Sequence, residues 1–429
     1  MKKASCKKFL KTVFAVLFAF MLTYAYPAQS AEKEKEKKPY PVYWMSVSTT
    51  NQSIPGMQSS EEMPGIGGLV MGKMMGKMGM GSGKNLFLQL NSPEPLPSEP
   101  EATHDIPPGQ NMGKTLPLVI PPGEKIKPEK YEETERPPYE KPKMRMLIYW
   151  GCGENIGKGQ PRVIDTEKMS AEEFGKAFAT GHTPSPQYPP RPRQGWIYSE
   201  WPNKKDSTKI PKDSSLQGDQ LIHGNYIPEI KFSIGKMNDF MATVELSSKG
   251  SPAESMRVAW KPIPTAIGYL ATAMGNNQKT GEMIIWSSSE VPETGFGLMD
   301  YLSSPDVRKF IKGKVVMDPK VTSCDIPKGI FNDAPGMLQF IAYGEDLHAA
   351  YPPKPKDPKE FWDIKWAARV RLKSTGMMPL GVEGGEGTKR PAKKGKMQDE
   401  ESSTGAQKSG QEEEGNKNPL KKFKGMFGF

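Results

Sequence analysis

Residues 255–288 have the sequence SMRVAWKPIPTAIGYLATAMGNNQKTGEMIIWSS, and this stretch decides the fold. Large apolar side chains alternate with small or charged ones over 256–260, which is the two-residue period of a β-strand. The alternation resumes over 267–273, and a third extended run follows at 283–286. Gly and Asn at 275–277 supply turn chemistry before that third run. The stretch therefore predicts three consecutive strands.

One strand of this stretch ends in a Trp, a short Pro-containing turn follows, and the next strand has a Tyr near its start. The residues are Trp260, Pro262, Pro264 and Tyr269. This arrangement resembles the B–C region of fibronectin type III-like domains, and the resemblance implies a β-sandwich that binds or spaces other molecules. Over its whole length the chain resembles uncharacterised exported proteobacterial proteins, which implies export but no particular activity.

We predict a mostly β protein with an immunoglobulin/fibronectin III-like β-sandwich at 216–375 and a smaller N-terminal β region at 41–165. A Pro-rich connector at 166–215 carries one short helix, opened by Ser170 with Glu173 three residues later. Residues 376–429 lack hydrophobic periodicity and predict a disordered tail. Outside the opening stretch, predicted strands cover 42–48, 86–90, 116–120, 144–150, 227–234, 240–246, 315–317, 337–343 and 366–372.

The N-terminus has the pattern of a signal peptide at 1–31. Lysines precede an apolar core at 14–24, small residues follow at 28–31, and a charged Lys/Glu/Pro linker occupies 32–40. The alternative is an uncleaved N-terminal anchor. Either interpretation places the protein outside the cytosol, in the periplasm or associated with the outer membrane.

Charge gives little support for nucleic acid binding. The chain has 59 basic and 49 acidic residues, and five of the lysines fall within the predicted signal peptide. The remaining charges of both signs are interspersed rather than gathered into a basic stripe. We therefore expect no nucleic acid partner and an unidentified component of the cell envelope instead.

Two cysteines, Cys152 and Cys324, remain after removal of the predicted signal peptide. Two cysteines in an exported protein most simply form one disulfide, which here would tie the two halves of the chain together. The alternative is a pair of unpaired buried thiols.

A Met-rich segment offers a candidate metal site. Its thioethers are Met71, Met74, Met75, Met78 and Met80. Thioether sulfur suits Cu(I) or Ag(I), and the spacing resembles the Met-rich segments of periplasmic copper-handling proteins. The alternative is a flexible Gly/Met loop with no cofactor, an interpretation favoured by the neighbouring lysines and the lack of a flanking His.

Catalytic patterns are weak. The four histidines, His104, His182, His223 and His348, have no metal-ligand spacing, and no G-x-S-x-G nucleophile motif occurs. We therefore predict a non-catalytic binding or structural protein of the cell envelope. The alternatives are a Cu(I)/Ag(I)-binding protein and an envelope hydrolase with a site between the β domains.

The C-terminus predicts a short anchor for a membrane surface or a partner. Its apolar residues, Leu420, Phe423, Phe427 and Phe429, are accompanied by lysines that lie on other faces of a helix. The alternative is a frayed tail with incidental aromatic residues.

Overall fold

The computed structural model describes residues 38–52, 82–93, 95–122, 143–177 and 182–380. These residues confirm the mostly β prediction, with strands arranged in several sheets. The strands are β1 Val42–Gln52, β2 Gly83–Ser92, β3 Ala102–Asp105, β4 Thr115–Leu118, β5 Arg145–Trp150, β6 Arg162–Asp165, β7 Ile197–Trp201, β8 Gly218–Gly224, β9 Ile227–Ile234, β10 Leu246–Ser251, β11 Ser255–Trp260, β12 Ala266–Asn276, β13 Met283–Ser287, β14 Ser323–Ile326, β15 Gly336–Gly344, β16 Leu347–Tyr351 and β17 Trp366–Leu380.

Two short α-helices accompany the strands. Helix α1 (Ala171–Ala177) begins with the expected capping box, since the amide of Glu173 donates to Ser170 Oγ and the amide of Ser170 donates to a Glu173 carboxylate oxygen. Helix α2 (Ser304–Lys312) is capped by Ser303, whose Oγ accepts from the amide of Asp306. No helix in the described ranges combines the length and apolar character that crossing a membrane requires.

The largest sheet has ten strands in the order β6-β5-β13-β12-β15-β17-β1-β2-β7, and β16 also pairs with β17. Two of its pairings are parallel, β1 with β17 and β5 with β13, while the others are antiparallel. The fifteen-residue β17 lies near the middle, paired with β1 along one side and with β15 and β16 along the other.

A three-stranded sheet, β10-β11-β14, shares an apolar core with the centre of the large sheet. Trp260 of β11 lies 5.7 Å from the ring of Tyr269 on β12 and 4.6 Å from the ring of Phe340 on β15. The Tyr269 hydroxyl also accepts from the amide of Ile263 at 3.0 Å, within the turn that crosses between the two sheets. The stretch at 255–288 thus forms the three predicted strands, distributed over both sheets.

The N-terminal strands extend the large sheet at both of its ends. Val42 of β1 pairs with Ala367 of β17, and Met146 of β5 pairs with Met283 of β13. Residues 41–165 and 216–375, which we predicted separately, therefore contribute to one sheet. The expected connector at 166–215 also supplies a strand of this sheet, β7.

A second smaller sheet, β4-β3-β8-β9, shares the same core on the β1 side of the large sheet. Tyr43 of β1 donates its hydroxyl to Nδ1 of the fully buried His104 at 2.9 Å. Nε2 of His104 donates to Oε1 of Gln220 at 2.9 Å, because the amide nitrogen of that glutamine already donates to the carbonyl of Leu216. Burial lowers the pKa of His104 to about 4, so this histidine is neutral at physiological pH.

Three boundaries differ from the sequence prediction. Residues 376–380 belong to β17 and pair with β15, so the predicted tail at 376–429 begins too early. Residues 240–245 form no ladder, and β10 starts only at Leu246, since side chains rather than a neighbouring strand satisfy several of their carbonyls. The expected strand at 315–317 is reduced to one bridge between Met317 and Tyr269.

Candidate functional site

The outer face of the large sheet, defined here as the face turned away from the two smaller sheets, carries a row of cations on β17. Arg369, Arg371 and Lys373 alternate with Val370 and Leu372, which are buried in the shared core. Residues two apart on a strand point to the same face, so the three cations form one line along β17. This arrangement makes the part of the outer face at β17 polar.

Arg371 is the most buried of these cations, with 8% of its surface exposed. Its Nε donates to Ser46 Oγ at 2.9 Å, and a terminal nitrogen donates to the carbonyl of Gln187 at 3.0 Å. The guanidinium carbon lies 4.1 Å from the ring centre of Tyr301 and 5.4 Å from that of Trp44. Aromatic faces thus accompany a cation for which burial lowers the pKa.

Arg369 forms an ion pair with Asp346, with 2.7 Å between the guanidinium nitrogen and the carboxylate oxygen. Asp346 also accepts from His348 and from Ser304 at the start of α2. Burial by itself would raise the pKa of Asp346, but these hydrogen bonds outweigh it and hold the pKa far below its ordinary value. The carboxylate is therefore a permanent structural acceptor rather than a proton donor.

An extended segment, residues 182–193, crosses this outer face, and we call it the strap. Five prolines lie in it, and its contacts fall at five points along its length. The contacts are His182 Nδ1 to Glu293 at 3.0 Å, the Ser185 amide to Asp306 at 2.9 Å, Arg371 to the carbonyl of Gln187 at 3.0 Å, Gln89 to the carbonyl of Pro190 at 3.4 Å, and Asn91 to the carbonyl of Arg191 at 2.9 Å.

His182 and Glu293, the pair at the start of the strap, resemble the histidine and carboxylate of a catalytic triad. Glu293 is 3% exposed, and its second oxygen accepts from the amide of Gly295 at 3.0 Å. A carboxylate on one imidazole nitrogen orients the ring in many catalytic sites. Within the described ranges no hydroxyl or thiol forms a hydrogen bond with the other nitrogen of His182, and the pair attaches the strap to the loop after β13.

The four histidines lie in separate places. His104 is buried between β1 and β8, His223 contacts Asp105 at 3.2 Å, and His348 contacts Asp346 at 2.6 Å. No group of three His, Cys, Asp or Glu residues in the described parts of the chain could hold a metal ion.

Cys152 and Cys324 form a disulfide, the pairing expected from the sequence. Cys152 follows β5 of the large sheet, and Cys324 lies in β14 of the three-stranded sheet. The amide of Gly153 also donates to the carbonyl of Asp325 at 2.8 Å. The crosslink therefore attaches the loop after β5 to the sandwich.

The remaining predicted site residues lie outside the described residues. These are the Met-rich residues Met71, Met74, Met75, Met78 and Met80 and the C-terminal residues Leu420, Phe423, Phe427 and Phe429. The copper hypothesis and the anchor hypothesis stay predictions.

A surface cavity of about 120 Å³ lies beside the start of β1. Its lining residues are Lys38, Tyr40, Phe361, Trp362, Asp363 and Ile364. Pockets for drug-sized molecules measure roughly 300–1,000 Å³, so this cavity is small for a substrate site. We take the strap and its anchors on the outer face as the candidate functional site, because side chains of the sheet hold an exposed Pro-rich segment there.

Sequence reasoning treated the strap as part of a connector and missed its anchors Gln89, Asn91 and Arg371. The sequence did contain one signal for the polar surface under the strap, because cations at every second position of β17 indicate a polar sheet face. Neither a protein-family model, nor a curated protein, nor a solved structure matches this chain.

Proposed function

We propose that the protein is an exported, non-catalytic component of the cell envelope that binds or spaces other envelope molecules. The observation that carries this proposal is the strand order of the two facing sheets, β10-β11-β14 and β13-β12-β15-β17. Such an order, with a chain crossing between sheets at β11 and β12, is the one expected of a fibronectin type III-like sandwich. Domains of this architecture serve mainly in adhesion and spacing, which favours a binding role.

The disulfide supports the exported part of this proposal. Disulfides persist in oxidising compartments such as the periplasm and are rare in the cytosol. This bridge closes a loop of 172 residues between Cys152 and Cys324. A crosslink over such a loop stabilises a domain by about 2 to 4 kcal/mol, so its loss would be felt in the assembled protein.

Peptide mapping of the protein isolated from envelope fractions, without reduction, tests this proposal. We expect a crosslinked peptide that contains both Cys152 and Cys324, recovered with the envelope and absent from the cytosol. The matched control is the Cys152→Ala/Cys324→Ala double variant, for which urea unfolding should show a loss of about 2 to 4 kcal/mol. Free thiols at both positions together with a cytosolic location would contradict the proposal.

A further inference from the structure

From Pro184 to Arg191 the exposure of the strap follows a three-residue period. Pro184 and Gln187 are half-buried and Pro190 is buried, whereas Ser185, Tyr188 and Arg191 are all exposed. Three residues per turn is the period of a polyproline II helix. Proline fixes its own φ and biases the preceding residue toward extended backbone, so the Pro-rich sequence itself favours this conformation.

Side chains of the large sheet hold the strap through its backbone carbonyls, and Ser185 adds an attachment from the exposed edge through its amide and hydroxyl to Asp306. Arg371 and Gln89 donate to the carbonyls of Gln187 and Pro190, which are one polyproline turn apart. Asn91, 6% exposed, donates to the next carbonyl in the chain, that of Arg191. Because these donors come from β17 and β2, which flank β1 in the same sheet, they hold the strap with Tyr188 turned to solvent.

The exposed surface of the strap combines an aromatic ring with two cations. Tyr188 is 71% exposed, and the guanidinium of Arg191 lies 5.9 Å from its ring centre. The guanidinium of Arg193 lies 3.3 Å from the ring centre of Trp196. Within the described parts of the chain, neither arginine forms an ion pair with a carboxylate. Tyr, Trp and Arg are the residues most enriched where protein surfaces bind tightly.

The prolines complete the pattern. Pro186, Pro189 and Pro192 are spaced three apart, so in a polyproline II helix they form one further edge beside that of Tyr188. Grooves that bind such helices are lined with aromatic side chains into which the prolines fit. A segment that is ordered before binding loses little conformational entropy when it docks.

We propose that the strap is a preformed polyproline ligand for a partner protein whose groove is lined by aromatic side chains and flanked by carboxylates. This inference rests on the proposed binding role and names the kind of partner. Carboxylates on the partner would pair with Arg191 and Arg193, for which the described residues supply no carboxylate partner. The strap is a narrow extended ridge, whereas adsorption to a membrane depends on a broad apolar face.

Isothermal titration of the purified mature chain against an isolated SH3 domain with an acidic specificity pocket tests the proposal. Such a domain supplies the aromatic groove and the carboxylates that the inference requires. We expect saturable binding that weakens as salt is added. The Pro186→Ala/Pro189→Ala variant and the Tyr188→Ala/Arg191→Ala variant should each weaken binding about tenfold or more.

The matched control is Tyr351→Ala, which removes an exposed aromatic ring on β16, away from the strap. This variant should bind the probe as the unmodified chain does. Circular dichroism and thermal unfolding of each variant establish that its fold is retained. Absence of binding to the probe, or binding that the strap variants leave unchanged, would overturn the proposal.

A second titration uses vesicles of equal parts phosphatidylethanolamine and phosphatidylglycerol. Adsorption that depends on Tyr188 and Arg191, with no binding to the SH3 probe, would overturn the proposal in favour of a lipid surface. Envelope fractionation of the strap variants separates this inference from the proposed function. If they remain in the envelope with the disulfide intact but no longer bind the probe, the strap acts as proposed and the envelope role does not depend on it.

Discussion

Two extended segments without a strand ladder lie on opposite faces of the large sheet, where β1, β2 and β17 are neighbours. The strap crosses the outer face, and residues 240–245, here called the inner segment, lie on the face toward the smaller sheets. Thr49 and Ser374 donate to the carbonyls of Met241 and Ala242, each at 2.8 Å. Asn51 donates to the carbonyl of Val244 at 2.7 Å. Both segments are thus held by side-chain donors of the sheet.

The two segments differ in what their own side chains do. Met241 and Val244 are 2% and 1% exposed and belong to the shared core. Gly376 lets the inner segment approach closely, since a Cβ there would lie 2.7 Å from Val244 Cγ1. Tyr188 of the strap, by contrast, is 71% exposed. Side-chain donors of the sheet therefore hold a segment that packs into the core on one face and a segment that stays exposed to solvent on the other. The following variants test that distinction.

Removing a core side chain of the inner segment should have the largest effect. We expect Met241→Ala to lower the free energy of unfolding by about 2 to 5 kcal/mol, because it leaves a cavity that the surrounding core fills only in part. The matched change on the strap, Tyr188→Ala, should stay within about 0.5 kcal/mol of the unmodified protein. Urea unfolding measures both, and equal losses would abolish the distinction between the two faces.

The inner face should also make stability depend on pH. His104 has a folded-state pKa of about 4 against an ordinary value of 6.5, so the unfolded chain binds the proton more readily. The contribution of His104 to the free energy of unfolding is then fully present above about pH 6.5. It falls as the pH is lowered toward 4, and the loss over that window is roughly 3 kcal/mol.

Urea unfolding at several pH values measures this dependence. The His104→Gln variant should lack most of the fall, while His223→Ala, at a half-exposed histidine, should retain it. An identical fall in the His104→Gln variant would show that other groups cause it.

We expect the side chains that donate hydrogen bonds to the inner segment to contribute to the stability of the whole fold. Thr49→Val keeps the shape of the side chain but leaves the buried carbonyl of Met241 without its hydroxyl partner. We expect a loss of about 1 to 3 kcal/mol in the free energy of unfolding. Thr375→Val, at a half-buried position of the adjacent strand β17, is the control, and a comparable loss there would argue against the hydrogen bond as the cause.

We expect the side chains that donate hydrogen bonds to the strap to affect only the local opening of that segment. Asn91→Ala removes the hydrogen bond to the carbonyl of Arg191, which contributes about 1 kcal/mol. That free energy corresponds to about fivefold more frequent opening of the strap, measured as faster tryptic cleavage after Arg193. Asn155→Ala, at an exposed loop position, should leave the cleavage rate unchanged. A large global destabilisation instead would make the strap part of the core.

Sequence patterns identified strands better than their partners. The alternation at 256–260 and 267–273 marks β11 and β12, because successive side chains of a strand point to opposite faces of the sheet. Nothing in that period shows that β1 pairs with β17 or β5 with β13, since those pairings join distant parts of the chain. The inner segment was predicted as a strand because it is apolar and extended, and only the structure shows its carbonyls bonded to side chains.

The candidate site was less predictable than the fold. The prolines of the strap indicate an extended backbone but not the surface on which that backbone lies. Its anchors belong to β2 and β17, which are far from it in sequence. A disulfide between Cys152 and Cys324 was the simplest interpretation of two cysteines in an exported chain, because a pair admits only one intramolecular connectivity.

The parallel pairing of β1 with β17 has a consequence for biogenesis. In a chain that is made from its N-terminus, β1 appears first, yet the strand that completes its hydrogen bonds follows all the others described here. Until β17 arrives, β1 and β2 form a hairpin with an open apolar edge, a state that invites association with other chains. Closure of the sheet is therefore a late event, and this hairpin is where a chaperone would be needed most.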